Sequence, residues 1–166
     1  MVRLGSMRSV YQVLSELGIA YVKHEHPAVF TVAESEQYDL QFEGAKTKNL
    51  FLTNKTGDTY YLLVVNSQTR VDVKRVSTFV NEAKLSFASP EKLFEYLELT
   101  PGSVSPFGLI NDTEKEVTVL IDKTLMDYEK IGFHPNENTA TLIITTFDFK
   151  KFLDSTGNKI FFIDVA

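Results

Sequence analysis

The sequence predicts a single mixed α/β domain built on one mostly antiparallel or mixed sheet, with helices packed around it. Helix-like and strand-like segments alternate along the chain instead of separating into two halves. The chain has 166 residues, 43% of them hydrophobic, so one domain can bury a core without support from a metal or a disulfide. No internal repeat, low-complexity tract or linker divides the sequence, which favours one domain over two.

Composition and charge exclude several classes of protein. The absence of cysteine excludes a disulfide framework, a thiol nucleophile and a thiolate metal site. A net charge of −5 argues against nonspecific coating of nucleic acid, although it allows a local basic patch. No apolar run reaches the roughly 20 residues of a membrane span, so a cytoplasmic protein without a membrane partner is expected. Residues 1–6, which precede a second methionine, are expected to be a cloning remnant or a disordered start, and residues 7–166 the domain.

The first half of the chain is predicted to contain a helix, a strand, a short helix and a β-hairpin. Apolar residues at helical spacing predict a helix over 7–17 that ends at Gly18, and a strand follows over 19–25. Thr31 and Glu34 have the spacing of a capping box, which predicts a short helix over 31–38. The hairpin strands are predicted over 48–53 and 59–65, around a turn that contains Gly57.

The second half is predicted to continue with helices and strands in turn. Asp72 is expected to cap a helix that runs to about residue 80, and Ser89 and Pro90 to start another. Strands are predicted over 116–121, 139–145 and 159–163, and residues 130–135 lead into a polar turn over 136–138. Thr146 is expected to cap a final helix over 147–153.

Residues 101–109, PGSVSPFGL, form an uncharged run between a helix and a strand and predict a shaped loop. Glycines allow backbone conformations closed to other residues, and prolines fix φ. The amides of Ser103, Val104 and Ser105, with the two serine hydroxyls, are able to converge on an anion, a carbonyl oxygen or a developing oxyanion. The alternative is a surface connection with ordinary turn chemistry. The residues that shape the backbone are Pro101, Gly102, Pro106 and Gly108.

Two sets of basic residues are candidates for binding phosphate. Lys48 is predicted at the entrance of a strand whose next residues look buried, where a lysine can hold a phosphate or polarise a carbonyl. The alternative for Lys48 is an ordinary charge at a strand end. Arg70, Lys74 and Arg75 stand beside a predicted helix start, where they either meet phosphates or solvate a face.

Residues 132–141, GFHPNENTAT, concentrate hydrogen-bonding side chains, among them Asn136 and Thr139. Such a stretch is either part of a site or a turn whose side chains satisfy one another. His24 and His26 share a face of a predicted strand, and with the histidine of this stretch they offer three imidazoles to zinc. No acidic residue completes a known metal motif, so no metal is expected. No nucleophile elbow or phosphate-binding Walker loop is present, which argues against covalent catalysis.

Four motifs in this order resemble the YbaK/ProX aminoacyl-tRNA editing domains. They are an early HP followed by TVAE, KNLFL led by Lys48, the GSVSPFG loop, and a late FHPNENTAT. The resemblance runs over residues 7–166 and is nearest to the free-standing prolyl-tRNA editing proteins, which deacylate alanyl-tRNA for proline. It implies a YbaK/ProX-like fold and an aminoacyl-tRNA deacylase that hydrolyses the ester at the 3′-terminal adenosine of mischarged tRNA(Pro).

The resemblance also implies roles for particular residues. Lys48 would be the essential lysine that holds the terminal adenosine or its phosphate, and residues 102–106 would cradle the aminoacyl carbonyl. It places in the amino-acid pocket Thr31, Glu34, Phe107, Gly108, Leu109, His134, Asn136 and Thr139. Candidate contacts to tRNA phosphates are Lys46, Arg70, Lys74 and Arg75.

The implied partners are the acceptor end of aminoacyl-tRNA and prolyl-tRNA synthetase, with no cofactor. Two alternatives stay open at the level of sequence. One is deacylation of a tRNA that carries cysteine or serine, and the other is a module that binds a free amino acid or a tRNA end without turnover. The oligomeric state is also open.

Overall fold

The computed structural model describes residues 9–25, 44–133 and 139–166. Within these ranges the chain forms a mixed α/β domain with an eight-stranded mixed sheet, which confirms the predicted fold class. The predicted helix over 31–38 lies outside the described residues. So do five of the residues singled out above, namely His26, Thr31, Glu34, His134 and Asn136.

The α-helices and strands in the described ranges follow the predicted order with two added strands, Leu85–Phe87 and Lys130–Phe133, and three 3-10 helices were not predicted either. The α-helices are α1 (Val10–Leu17), α2 (Val73–Phe79), α3 (Pro90–Leu97) and α4 (Thr146–Thr156), and the 3-10 helices are Pro101–Ser103, Pro106–Asn111 and Lys123–Asp127. The strands are β1 (Val22–Glu25), β2 (Ala45–Asn54), β3 (Tyr60–Asn66), β4 (Leu85–Phe87), β5 (Val117–Asp122), β6 (Lys130–Phe133), β7 (Ala140–Thr145) and β8 (Ile160–Ile163). The sequence did not predict β4, and it indicated only a lead into a turn where β6 lies. None of the helices in the described ranges is long and apolar enough to cross a membrane.

The sheet has the order β1-β7-β6-β2-β3-β5-β8, and β4 pairs with β2 off this path. Pairing is antiparallel between β1 and β7, β7 and β6, β2 and β3, and β2 and β4. It is parallel between β6 and β2, β3 and β5, and β5 and β8. The strand β2 therefore meets β6 near its start and β4 near its end, on the same edge.

Helix ends are set by local hydrogen bonds. The Ser89 hydroxyl accepts from the Lys92 amide with Pro90 at the first helical position, as predicted. Gly18 ends α1 with φ +70°, which also matches the prediction. The prediction for α4 was wrong by one residue, because Thr145 is the cap that accepts from the Asp148 amide. The Thr146 hydroxyl instead donates to the Tyr128 carbonyl at 2.7 Å.

The sheet separates two hydrophobic cores. The first core lies against α1, α3 and α4 and includes Phe51 of β2, whereas the second lies against α2 and includes Leu52 of β2. Because side chains alternate along a strand, the odd-numbered residues of β2 face the first core and the even-numbered residues face the second. Ala45 in the first core and Leu50 against the second agree with this alternation.

Candidate active site

Lys48 lies inside β2 and not at its entrance, because β2 already begins at Ala45. The earlier start comes from parallel pairing with β6, which holds Ala45 and Lys46 opposite Ile131 and Gly132. By the alternation of β2, the half-buried Lys48 belongs to the face of the second core. Its position is therefore in the interior of β2, where β3 pairs with it along one edge, Lys48 lying opposite Val65.

The edge of β2 carries a gap in strand pairing beside Lys48. Pairing with β6 is recorded as far as Lys46, and pairing with β4 begins at Leu52. Between them, residues 48–50 have no strand partner on this edge among the residues that the structure describes; we call this segment the pairing gap. Within it, the Asn49 side-chain oxygen is buried and has no hydrogen-bond partner in the described ranges. A buried polar atom of this kind needs a partner, as do buried oxygens of Tyr11, Glu98 and Asn158, so the gap is one of the places to look for a ligand.

The end of β6 brings residues 101–109, which we call the glycine-proline loop, to the pairing gap. Since β6 runs parallel to β2, its last residue, Phe133, lies at the level of Thr47, whose hydroxyl donates to the Gly132 carbonyl at 2.8 Å. The ring of Phe133 packs edge-on against that of Phe107, with 5.8 Å between their centroids. The loop, the end of β6 and the pairing gap are thus neighbours. His134 follows Phe133 directly in the sequence.

The stretch 101–109 is more regular than the predicted loop, since it forms two short 3-10 helices. Local hydrogen bonds already engage many of its polar groups. The Ser103 amide donates to the Thr100 carbonyl at 2.9 Å, and the Ser103 hydroxyl also bonds to Thr100. The Ser105 hydroxyl accepts from the Phe107 amide at 3.1 Å and caps the second 3-10 helix. Both hydroxyls therefore shape the backbone.

Two amides of the loop remain candidates for binding an oxyanion. Within the described ranges, no acceptor is recorded for the backbone N–H of Val104 or of Ser105. Ser105 is fully buried and Val104 half-buried, so both lie in surroundings where water competes weakly. The set of three amides expected from the sequence narrows to these two.

The two glycines of the loop do not use the left-handed backbone region that their presence suggested. The glycines with positive φ in the described ranges are Gly18, Gly57 and Gly157. At Gly108 the requirement is space, because an added Cβ would lie 2.6 Å from Leu99 Cδ1. Close packing on the chain that follows α3 is thus the reason for a glycine at this position.

The structure places the other predicted site residues in different surroundings. Phe107 and Leu109 are fully buried in the first core. Their role in substrate binding stays a prediction, and these two residues would act by shaping the backbone of the loop. Thr139 is exposed just before β7. Two of the predicted cations, Arg70 and Lys74, are exposed around the start of α2.

Two further predictions concern charged and metal-binding side chains. Arg75 is engaged in an ion pair with Asp164 at 2.9 Å, and nothing in the sequence indicated this partner. His24 lies on β1 opposite Thr141. Among the residues that the structure describes, no group of three or more histidine or acidic side chains is placed to hold a metal ion.

Comparisons with known proteins identify the family of this chain. Residues 26–152 match the family model of the aminoacyl-tRNA editing domain. The chain is 38% identical over 155 residues to the prolyl-tRNA editing protein ProX of Acetoanaerobium sticklandii, which covers 93% of this chain and 94% of that protein. It is 32% identical over 151 residues to prolyl-tRNA synthetase associated domain-containing protein 1 of Bos taurus, covering 89% and 88% of the two chains.

Solved structures agree on the fold. A crystal structure of a candidate trans-editing enzyme for prolyl tRNA synthetase superposes with a TM-score of 0.69 at 22% identity, over the full length of both chains. A second crystal structure, of hypothetical protein APE2540, gives a TM-score of 0.72 at 17% identity and covers 95% of this chain and 99% of that one. The fold, the family model and the relatives agree, and the chain belongs to the aminoacyl-tRNA editing domain family.

Proposed function

We propose that this chain is a trans-editing hydrolase that removes alanine from mischarged tRNA(Pro). The observation that carries the proposal is the meeting of the glycine-proline loop, the end of β6 and the pairing gap, with two loop amides that have no recorded acceptor in the described ranges. The names of the ProX relative and of the synthetase-associated proteins support prolyl-tRNA as the substrate class. The proposed setting is the cytoplasm, with prolyl-tRNA synthetase as the source of the mischarged tRNA.

The proposed reaction is hydrolysis of the ester that joins the amino acid to the terminal ribose. Water adds to the carbonyl carbon, and negative charge develops on the carbonyl oxygen, where the amides of Val104 and Ser105 donate hydrogen bonds. The bond to the ribose oxygen then breaks, and that oxygen takes up a proton, which leaves a free amino acid and an intact tRNA end. The neighbouring ribose hydroxyl helps to position the water, so the protein mainly has to orient the ester.

Lys48 is proposed to anchor the terminal nucleotide. Its side chain belongs to the α2 face, whereas the loop packs on the opposite face with Phe107 in the first core. The two therefore approach the pairing gap from different faces. In our proposal the acyl group lies on the loop side and the terminal nucleotide on the lysine side. Charge-assisted hydrogen bonds from the ammonium group to a phosphate provide the grip.

The remaining predicted residues keep their proposed roles around this centre. The pocket for the amino acid is proposed to use Thr31, Glu34, Gly108, His134, Asn136 and Thr139. Phosphates of the tRNA are proposed to meet Lys46, Arg70, Lys74 and Arg75, although Arg75 would bring its partner Asp164 into the contact.

Alanine is the proposed amino acid because the proline pocket of the synthetase cannot exclude a smaller amino acid by size. A synthetase pocket that holds proline discriminates against a smaller side chain by only about 1 to 3 kcal/mol per missing methylene. A second site that is too small for proline but admits alanine restores the accuracy of charging. This double-sieve logic requires that the editing site reject prolyl-tRNA(Pro).

The proposed function is tested by measuring hydrolysis of tRNA(Pro) charged with alanine, cysteine, serine or proline under identical conditions. We expect rapid loss of alanine and no loss of proline above the spontaneous rate. Equal hydrolysis of alanyl- and prolyl-tRNA would contradict the size argument. Faster loss of cysteine or serine would move the substrate to another mischarged tRNA. Binding of alanyl-tRNA without turnover of any of the four would contradict an enzymatic function.

A further inference from the structure

A groove away from the pairing gap lies between α2 and the ends of β5 and β8. It is open to solvent, with a volume of about 540 Å³. It is lined by Arg75, Thr78, Phe79, Lys123, Phe162, Ile163 and Asp164. These residues come from three distant parts of the sequence, and the groove forms where parallel strands end, the edge of α/β sheets that commonly binds ligands.

The groove combines exposed aromatic rings with cations. Phe79 is 52% exposed and Phe162 is 39% exposed, and Phe79 is held edge-on against Phe161 with 6.1 Å between ring centroids. Lys123 is exposed, and Arg75 is fixed by its ion pair with Asp164. Aromatic faces beside basic side chains are the usual equipment for single-stranded nucleic acid, where bases stack and phosphates pair with the cations.

The groove lies on the same face of the sheet as Lys48. Lys48 is opposite Val65 of β3, the neighbouring Val64 is opposite Ile121 of β5, and the residue after Ile121, Asp122, is opposite Ile163 of β8. Three strand spacings of about 4.8 Å give a distance of about 14 Å from Lys48 to Ile163 along this row. The row itself is buried at Val65 and Asp122, so the RNA has to pass outside it. At about 3.4 Å per stacked nucleotide, the two positions are at least about four nucleotides apart.

We propose that this groove binds an unpaired nucleotide of the tRNA acceptor end, upstream of the terminal adenosine. The base stacks on Phe79, and the adjoining phosphate contacts Lys123 and Arg75. The inference rests on the proposed function for its choice of RNA. The carboxylate of Asp164 repels the phosphate, and this repulsion lowers the affinity of the groove for RNA.

The test uses binding of an uncharged acceptor-stem minihelix that carries the unpaired 3′ end. Phe79→Ala is expected to weaken binding about tenfold through the loss of stacking. Lys123→Ala is expected to lower the slope of log affinity against log salt by about 0.7, the value for one phosphate of a single strand. Asp164→Asn should tighten binding, because among the described residues it removes the one carboxylate that lines the groove.

Phe147→Ala and Lys150→Ala provide a matched control on α4, across the sheet. Phe147 is 81% exposed, Lys150 is exposed as well, and both variants should bind the minihelix as wild type does. Because all the groove variants change exposed side chains, thermal unfolding is expected to stay at the wild-type midpoint.

Three outcomes would overturn the groove proposal. They are wild-type affinity in both Phe79→Ala and Lys123→Ala, weaker binding in Asp164→Asn, and the same loss on a minihelix that lacks the unpaired nucleotides. Because the probe is uncharged RNA, the two proposals fail separately. A chain that edits alanyl-tRNA while its groove variants bind normally contradicts only the groove. A chain that shows the groove effects without hydrolysis contradicts only the proposed enzyme.

Discussion

The two faces of the sheet differ in how much of their surface is used for packing. The face that carries α1, α3 and α4 buries Phe107, Phe133, Phe149 and Phe152 in one continuous core. The α2 face has a smaller core beneath one seven-residue helix, with a groove open to solvent beside it. The densely packed face fixes the loop amides, whereas the open face leaves room for a ligand.

Because of this contrast, the two faces of the sheet suit different tasks. Electrostatic stabilisation of a transition state needs donors that do not move during the reaction, and a close-packed core provides such rigidity. Recognition of a flexible RNA end needs exposed rings and charges that a ligand can reach. The pairing gap of β2 lies where the two requirements meet.

We expect the greatest change in stability when a phenylalanine of the densely packed face is replaced, and one from the α2 face serves as the comparison. Phe107→Ala should lower the free energy of unfolding by about 3 to 5 kcal/mol, because it leaves a cavity beside the rings of Phe133 and Phe152. Phe79→Ala on the open face should change it by about 0.5 kcal/mol or less. Urea unfolding of the two variants measures the difference, and equal losses would remove the contrast between the faces.

A smaller effect is expected from adding one methyl group beneath the loop. In Gly108→Ala the new Cβ would meet Leu99 Cδ1 at 2.6 Å and Leu97 Cβ at 3.2 Å. Overpacking of this kind costs about 1 to 3 kcal/mol, and the shift in backbone should also slow deacylation by displacing the loop amides. Thermal unfolding and single-turnover kinetics test both effects. Normal turnover in a destabilised variant would separate the packing of Gly108 from the reaction.

The smallest change in stability is expected for a tyrosine on the α2 face. The Tyr61 hydroxyl donates to Glu82 Oε2 at 2.7 Å, and burial together with this carboxylate raises the pKa of Tyr61. The folded state keeps the phenolic proton above pH about 10, where the unfolded chain loses it. The contribution of Tyr61 to stability is therefore present below that pH and is lost as pH rises further.

Replacing this tyrosine tests the pH dependence. Tyr61→Phe should cost about 0.5 to 1.5 kcal/mol at neutral pH and should flatten the fall in stability above pH 10. Urea unfolding at a series of pH values compares the two chains. Parallel curves for wild type and variant would show that Tyr61 does not contribute to the alkaline transition.

The elements that sequence could predict are those with local causes. The Ser89–Pro90 start, the Asp72 cap and the Gly18 stop depend on hydrogen bonds between near neighbours in the chain, and each is found where it was expected. The three-residue β4 was missed because its pairing with β2 joins residues far apart in the sequence. The 3-10 geometry of residues 101–103 and 106–111 was missed because it depends on packing of the loop against the core.

The site shows the same division. The motifs around Lys48 and residues 102–106 are visible in the sequence because they are compact. The face to which Lys48 belongs is not, because β2 is buried on both faces, at Phe51 on one and Leu52 on the other, and its sequence shows no alternation of apolar and polar residues. Nothing in the sequence indicated the groove, because α2, Lys123 and the end of β8 come together only in the fold.

Lys48 at the pairing gap is proposed to hold the terminal nucleotide for hydrolysis. The most direct test of this role is the single-turnover rate of alanyl-tRNA(Pro) deacylation in Lys48→Ala. Lys55→Ala is the matched control, because Lys55 is an exposed lysine in the turn between β2 and β3. We expect Lys48→Ala to slow deacylation by at least about 100-fold, because the unanchored ester is misplaced at the loop amides, and Lys55→Ala to leave the rate unchanged. Wild-type turnover in a folded Lys48→Ala variant would contradict this role.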